Sequence, residues 1–220
     1  MQRLARLGCP PEALSAILVT HEHQDHLGGV GPLARKYDIP VWLSRGTAQA
    51  AYRRLGRLPR SHSLNCHRDF VIDALQIHPF PVPHDAREPC QFVFSDGRHR
   101  LGLLTDTGRA TTHIARQLDG CDALILECNH DSEMLANGPY PPSLQARVAG
   151  GLGHLSNHQA AELLAQLDNT RLQHLVAAHL SEQNNRPALA AAAISGVLGC
   201  EAEWIALADQ QQGLDWRELA

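Results

Sequence analysis

The 220-residue chain lacks several features that would place it outside the ordinary globular enzymes. No apolar run reaches the roughly 18 uninterrupted residues needed to span a bilayer, because charge or histidine breaks every candidate. No leader pattern precedes residue 20, so a cytoplasmic protein with no membrane partner is expected. The six cysteines, Cys9, Cys66, Cys90, Cys121, Cys128 and Cys200, form no CxxC pair and no regular spacing. That argues against a disulfide framework or a structural zinc ribbon, and reduced thiols are the simpler reading. An excess of basic charge is also missing: the formal net charge is −4. The chain therefore has no global field of the kind that non-specific nucleic-acid binding requires. Its densest basic cluster, Arg53, Arg54, Arg57 and Arg60, reads as a solvated helix face.

Repeats, low-complexity tracts and linkers are absent too, and the alanine cluster at 188–193 fits a closely packed helix. The length suits a single domain over residues 1–220. Short β-branched runs alternate with helical patterns, which predicts an α/β fold. Strands are expected at 16–19, 41–43, 75–80, 91–94, 101–104, 123–127, 174–177 and 204–207. Helices are expected at 31–37, 47–55, 112–118, 142–150, 157–166 and 187–198, with Ser156 or Asn157 capping the fifth of these.

Histidine is abundant, with 14 copies. Four potential ligands, His21, His23, Asp25 and His26, fall within six positions directly after the first strand. A strand end followed by a tight loop lets His21 and His23 aim at one metal ion while Asp25 and His26 aim at a second. The glycines after Leu27 permit the next helix to start close against the loop.

HxHxDH after a strand and a threonine resembles the signature of the metallo-β-lactamase superfamily. The resemblance implies a four-layer αββα fold and three further ligands, each at a strand end. His84, after the strand at 75–80, would complete the first metal's shell with His21 and His23. His78 is the competing choice, but alternation within the strand makes it a sheet residue. Asp106, in Thr105-Asp106-Thr107-Gly108, would bridge both ions, since a carboxylate offers two oxygens. His179 would join Asp25 and His26 around the second. Histidine and carboxylate donors without thiolate suit zinc first and manganese second, with iron also compatible. Two such cations acidify a bridging water, whose hydroxide attacks the substrate while Asp25 orients or deprotonates it.

The segments Glu127-Cys128-Asn129-His130-Asp131, Met134-Leu135, Gly153-His154-Leu155-Ser156-Asn157 and 179–185 resemble the YycJ/WalJ-like exonuclease branch of that superfamily, over nearly the whole chain. This implies phosphodiester hydrolysis, with 5′ to 3′ exonuclease action on DNA. His130 and His154 then become candidates for contacting the scissile phosphate or protonating the leaving oxygen. Ser181, Asn184 and Asn185 could donate hydrogen bonds to phosphate oxygens. The asparagines could equally cap a helix or close a turn. Members of the branch begin with a hairpin region ahead of the first helix. About 35 residues of edge strand are thus expected to be missing, leaving the first sheet incomplete at its N-terminal edge. Two alternatives stay open: a thioesterase- or lactonase-type hydrolase of small molecules, and an inactive truncated relative.

Overall fold

The computed structural model describes residues 2–220, which fall into two compact units, Met1–Phe92 and Val93–Ala220. The first unit opens with helix α1 (Gln2–Arg6), a 3-10 turn, and strand β1 (Ile17–Leu18). Helices α2 (Gln24–Leu27) and α3 (Val30–Tyr37) lead to β2 (Val41–Ser44), α4 (Arg45–Leu55) and β3 (Ser61–Leu64). Strands β1, β2 and β3 pair in that order, all parallel. Val19, Leu27, Val30, Ala34, Val41, Leu43, Ala51 and Leu55 are buried together between these strands and helices. Ser44 ends β2 and starts α4: its hydroxyl accepts from the Thr47 N–H at 3.1 Å and donates to the Glu88 carbonyl at 3.0 Å. One side chain thus caps the helix and ties it to the segment after His84.

A hairpin follows, with β4 (Phe70–Ile72) antiparallel to β5 (Leu75–Pro81). Asp73, in the two-residue turn, has φ 52°, the left-handed conformation that such tight turns demand. His78 lies on β5 and pairs with Asp69 at 2.9 Å, which agrees with its reading as a sheet residue. The chain passes into the second unit within β6 (Cys90–Ser95).

The second unit is built on four parallel strands in sequential order, β7 (Arg100–Leu104), β8 (Ala123–Glu127), β9 (His174–Ala178) and β10 (Ala206–Leu207). Helix α5 (Thr112–Leu118) connects β7 to β8. Helices α6 (Ser132–Asn137), α7 (Pro142–Val148) and α8 (Asn157–Leu164) connect β8 to β9, and α9 (Pro187–Leu198) connects β9 to β10. Ser156 caps α8 in a capping box with Gln159, each side chain taking the other's backbone N–H. The succession strand, helix, strand forces the sheet to be parallel, so the C-terminal ends of β7, β8 and β9 lie along one edge.

Two strands, β3 and β4, depart from the sequence expectation. Strand β3 carries only one buried apolar residue, Leu64, and is held by backbone pairing to β2, so its side chains give no hydrophobic period. The expected strand at 204–207 is reduced to two residues because a 3-10 turn occupies 202–204. No helix among the described residues is long and apolar enough to cross a membrane.

Asp122 ties the starts of three strands together. Its carboxylate accepts from the Arg100 N–H at 2.7 Å and from the Arg171 guanidinium at 2.9 and 3.1 Å, and its carbonyl accepts from Gln173 N–H at 2.7 Å. Burial resists its ionisation, but the Arg100 N–H and the Arg171 charge outweigh that and hold its carboxyl below the usual carboxylate range. A depressed folded-state pKa contributes stability that is present above the unfolded value and is lost as pH falls through the folded one. Asp122→Asn is therefore expected to cost about 2 kcal/mol near neutral pH and to flatten the acid limb of stability. Urea unfolding at several pH values checks this, and an unchanged acid limb would contradict it.

Candidate metal centre

In the first unit, His21 and His23 follow β1 and His84 follows β5. The ligand loop begins at Thr20, whose carbonyl accepts from the Cys90 N–H at 2.9 Å, so β6 pins the loop's entry. The Thr20 hydroxyl lies 3.1 Å from His21 Nδ1 and 3.0 Å from His26 Nδ1. Engaging both Nδ1 atoms leaves the Nε2 atom of each ring for another partner. His84 Nε2 and His23 Nδ1 stand 3.2 Å apart, and the His21 ring centroid is 4.5 Å from that of His23 and 4.8 Å from that of His84. Each of the three offers a ligand atom within 4.8 Å of the others. Nitrogens bound to one zinc-like ion at about 2.1 Å lie about 3–4 Å apart, so small side-chain rotations suffice to close the set. His21 and His84 are buried. Asp25 and His26 sit on α2, with Asp25 Oδ2 3.3 Å from His26 Nε2 and the Asp25 side chain 64% exposed. Asp85, beside both His23 and His84 at 3.6 Å, adds a carboxylate to their surroundings.

In the second unit, Asp106 lies just beyond β7, Glu127 is the last residue of β8, and His179 is the first beyond β9. Neighbouring parallel strands are about 4.8 Å apart, so side chains at their C-terminal ends converge. Asp106 has φ 49° and His179 φ 57°. Both are non-glycine residues held in the left-handed region, at a cost of order 1–3 kcal/mol each. Glycine would relieve that strain, but it carries no donor atom. Gly108 shows how tightly the turn after Asp106 is packed: a Cβ there would come within 2.3–2.5 Å of the backbone of Gly151, Leu152 and Gly153.

Glu127 lies outside the set of residues expected to act, and it organises this cluster. Fully buried, it accepts at Oε1 from His154 Nδ1–H at 2.9 Å and His179 Nδ1–H at 3.0 Å. Its Oε2 accepts from the Thr107 and Leu155 N–H groups, each at 3.1 Å. Burial opposes its charge, yet hydrogen bonds from His154 and His179 more than compensate and keep the carboxyl below its ordinary range. Asp106 Oδ1 lies 3.7 Å from both His154 Nδ1 and His179 Nε2. Asp106, Glu127, His154 and His179 form a second group whose ligand atoms lie within 4.8 Å of one another. The signal for Glu127 was an acid closing an otherwise apolar strand, Ala-Leu-Ile-Leu-Glu.

The other anticipated residues separate by burial. His130 is 2% exposed, its Nδ1 meets no hydrogen-bond partner among the described residues, and burial pushes its pKa down, favouring the neutral ring. It lines a pocket of about 350 Å³ with Ser132, Leu135, Pro142 and Gln145. The Ser181 hydroxyl accepts from the Asn184 N–H at 3.1 Å. Asn184 is 1% exposed. Asn185 donates to the Cys128 carbonyl and to Asn157 Oδ1, and its Oδ1 accepts from Asn157 and from the Arg186 N–H. Those four bonds saturate the Asn185 amide, which therefore has nothing left to offer a phosphate and instead locks the loop after β9 to the start of α8.

A family model described as the beta-lactamase superfamily domain matches residues 2–179. The chain belongs to the β-lactamase superfamily. It has the metallo-β-lactamase fold and is a metal-dependent hydrolase. Among its superfamily relatives are exodeoxyribonuclease YycJ from Bacillus anthracis, 38% identical over 84% of this chain and 71% of that protein, and exodeoxyribonuclease WalJ from Streptococcus pneumoniae, 37% identical over 85% and 71%. The metallo-β-lactamase fold protein YhfI from Bacillus subtilis superimposes with a TM-score of 0.72 at 17% identity, covering 94% of this chain and 79% of that one.

Glu127→Gln places an amide NH2 against N–H donors on one side or the other of a saturated carboxylate. The substitution is expected to lower affinity for divalent metal by about 10- to 100-fold. Competition with a chromophoric chelator measures it, and wild-type affinity in the variant would refute the orienting role.

Proposed function

We propose that this superfamily member is a phosphodiesterase acting as a 5′ to 3′ DNA exonuclease with two divalent metal ions, zinc or manganese. The observation that carries the DNA substrate is the 37–38% identity to two exodeoxyribonucleases across 84–85% of the chain. The proposed metal donors are His21, His23, Asp25, His26 and His84 in the first unit and Asp106 and His179 in the second. Their chemistry fits: imidazole and carboxylate without thiolate, with Thr20 and Glu127 holding ring orientation behind them. When bound, the ions supply Lewis acidity and bring the pKa of a water close to neutrality.

The chain's own groups do the rest. The exposed Asp25 carboxylate orients the attacking water and takes its proton. His154, whose Nδ1–H is held by Glu127, uses Nε2 to meet the substrate phosphate and to pass a proton to the leaving oxygen. His130, neutral and buried, acts by hydrogen bonding and not as a cation. Ser181 and Asn184, whose amide atoms are buried without a hydrogen-bond partner among the described residues, are the remaining candidates for a direct contact to a phosphate oxygen.

Purified protein is expected to carry close to two equivalents of metal per chain and to degrade a 5′-phosphorylated, 3′-labelled duplex from its 5′ end. His21→Ala and Asp106→Ala should each reduce that rate by about 100-fold or more. Turnover of a thioester or lactone, with no degradation of the duplex by metal-loaded protein, would replace this reading with that of a small-molecule hydrolase.

A further inference from the structure

The net charge of −4 conceals a sharp segregation. From Val30 to Arg68 the sequence holds eight cationic side chains, Arg35, Lys36, Arg45, Arg53, Arg54, Arg57, Arg60 and Arg68, against one carboxylate, Asp38. The rest of the chain holds eleven bases and twenty-two acids. This basic segment contains α4. The helix buries Thr47, Ala51 and Leu55 on one face. Its opposite face presents Arg45, Gln49, Tyr52 and Arg53, all exposed, at the i, i+4, i+7, i+8 spacing of a single stripe. Arg57 continues the stripe one residue beyond the cap at Gly56.

Three observations separate this surface from an ordinary solvated helix face. Arg45, Arg53 and Arg57 have no ion-pair or hydrogen-bond partner for their side chains among the described residues, so their charge is uncompensated; Arg60, by contrast, pairs with Asp38 at 3.4 Å. The carboxylate nearest the start of α4, Glu88, is engaged by the Gly46 N–H. The helix is also fastened to the ligand loop, since the Arg54 guanidinium donates to the carbonyl of Glu22, between His21 and His23, at 3.2 Å. A cationic surface is thus held in fixed register with the residues that carry the chemistry.

The geometry points to α4, through Arg45, Arg53, Arg57 and Tyr52, as the surface that receives the phosphate backbone of the nucleic-acid substrate; this rests on the reading of the protein as a DNA exonuclease. From Arg45 to Arg53 the stripe runs about 12 Å along the helix, enough to meet several charges of a duplex that carries one per about 1.7 Å of axis. The chain uses eighteen arginines and a single lysine, and the planar guanidinium matches phosphate oxygens two at a time. Tyr52, 75% exposed amid these arginines, supplies an aromatic face on which a base or sugar can rest. An acidic protein surface would use the charges but gives no role to an exposed ring anchored beside the ligand loop.

The test is the salt dependence of binding to a short fluorescent duplex with phosphorothioate terminal linkages, using the full metal-loaded chain. Every arginine–phosphate pair contributes about 0.9 to the steepness with which log K falls against log salt. The Arg45→Gln, Arg53→Gln, Arg57→Gln triple variant should reduce that steepness by about 2–3 and weaken binding at least about tenfold at physiological salt. Its turnover of bis(p-nitrophenyl) phosphate, which has no flanking phosphate backbone for the arginines to hold, should fall far less than its degradation of DNA, which shows the centre intact. A control triple, Arg98→Gln, Arg116→Gln and Arg217→Gln, should keep the wild-type slope. If the α4 variant keeps both slope and affinity while the wild type degrades DNA, the surface assignment fails and the exonuclease reading stands. If the wild type binds with an α4-dependent slope but degrades no DNA, the surface stands and the exonuclease reading fails. Absence of any duplex binding by the wild type overturns both.

Discussion

A single buried carboxylate sets the geometry of the second unit's active end. Glu127 closes the central strand β8 with no exposure to solvent, and its four hydrogen bonds run to the loops that follow each of the three adjacent elements. Two fix histidine rings; two fix backbone N–H groups beside Asp106 and His154. A charge so buried is tolerable only with full hydrogen bonding. Remove the Glu127 carboxylate and all four donors lose their common acceptor, so the turn carrying Asp106 and the loop carrying His154 are coupled through it. The left-handed backbone at Asp106 and His179 is what this anchoring sustains.

The first unit solves the same problem with less charge. Thr20 places one hydroxyl between His21 and His26, and the backbone bond from Cys90 holds Thr20 itself. His21 and His26 in the first unit and His154 and His179 in the second thus each have an oxygen on Nδ1, whereas His23 meets the Asp85 carbonyl through Nε2 at 3.3 Å and turns its Nδ1 toward His84. Orientation is supplied before any cation arrives, which is how a protein lowers the entropic cost of binding one.

Much of this was legible in the sequence where local pattern decides structure. Strand β8 and helices α5 and α9 begin and end at the residues that their apolar patterns indicate, and the motif from His21 to His26 announces its chemistry through donor density alone. His84, Asp106 and His179 stand out in the sequence only as an ordered set, since each alone is an ordinary strand-end residue. Glu127 was hidden because its role is spatial: nothing in its local sequence tells that two histidines, 27 and 52 positions away, converge on one of its oxygens. Asn185 misled for the opposite reason. Its polarity suggested a ligand contact, whereas its amide is consumed by Asn157 and Cys128. The arginines of α4 are solvated surface, as their sequence indicates, and the tether from Arg54 to Glu22 was visible only in the structure.

The central claim, that Glu127 fixes both histidines with their Nδ1 protons turned toward it, is tested most directly by nitrogen-15 NMR. Long-range proton–nitrogen correlation of the imidazole rings distinguishes the two tautomers. The structure requires His154 and His179 both to carry a proton on Nδ1, where the Glu127 carboxylate accepts it. Observation of either ring as the Nε2–H tautomer would contradict it.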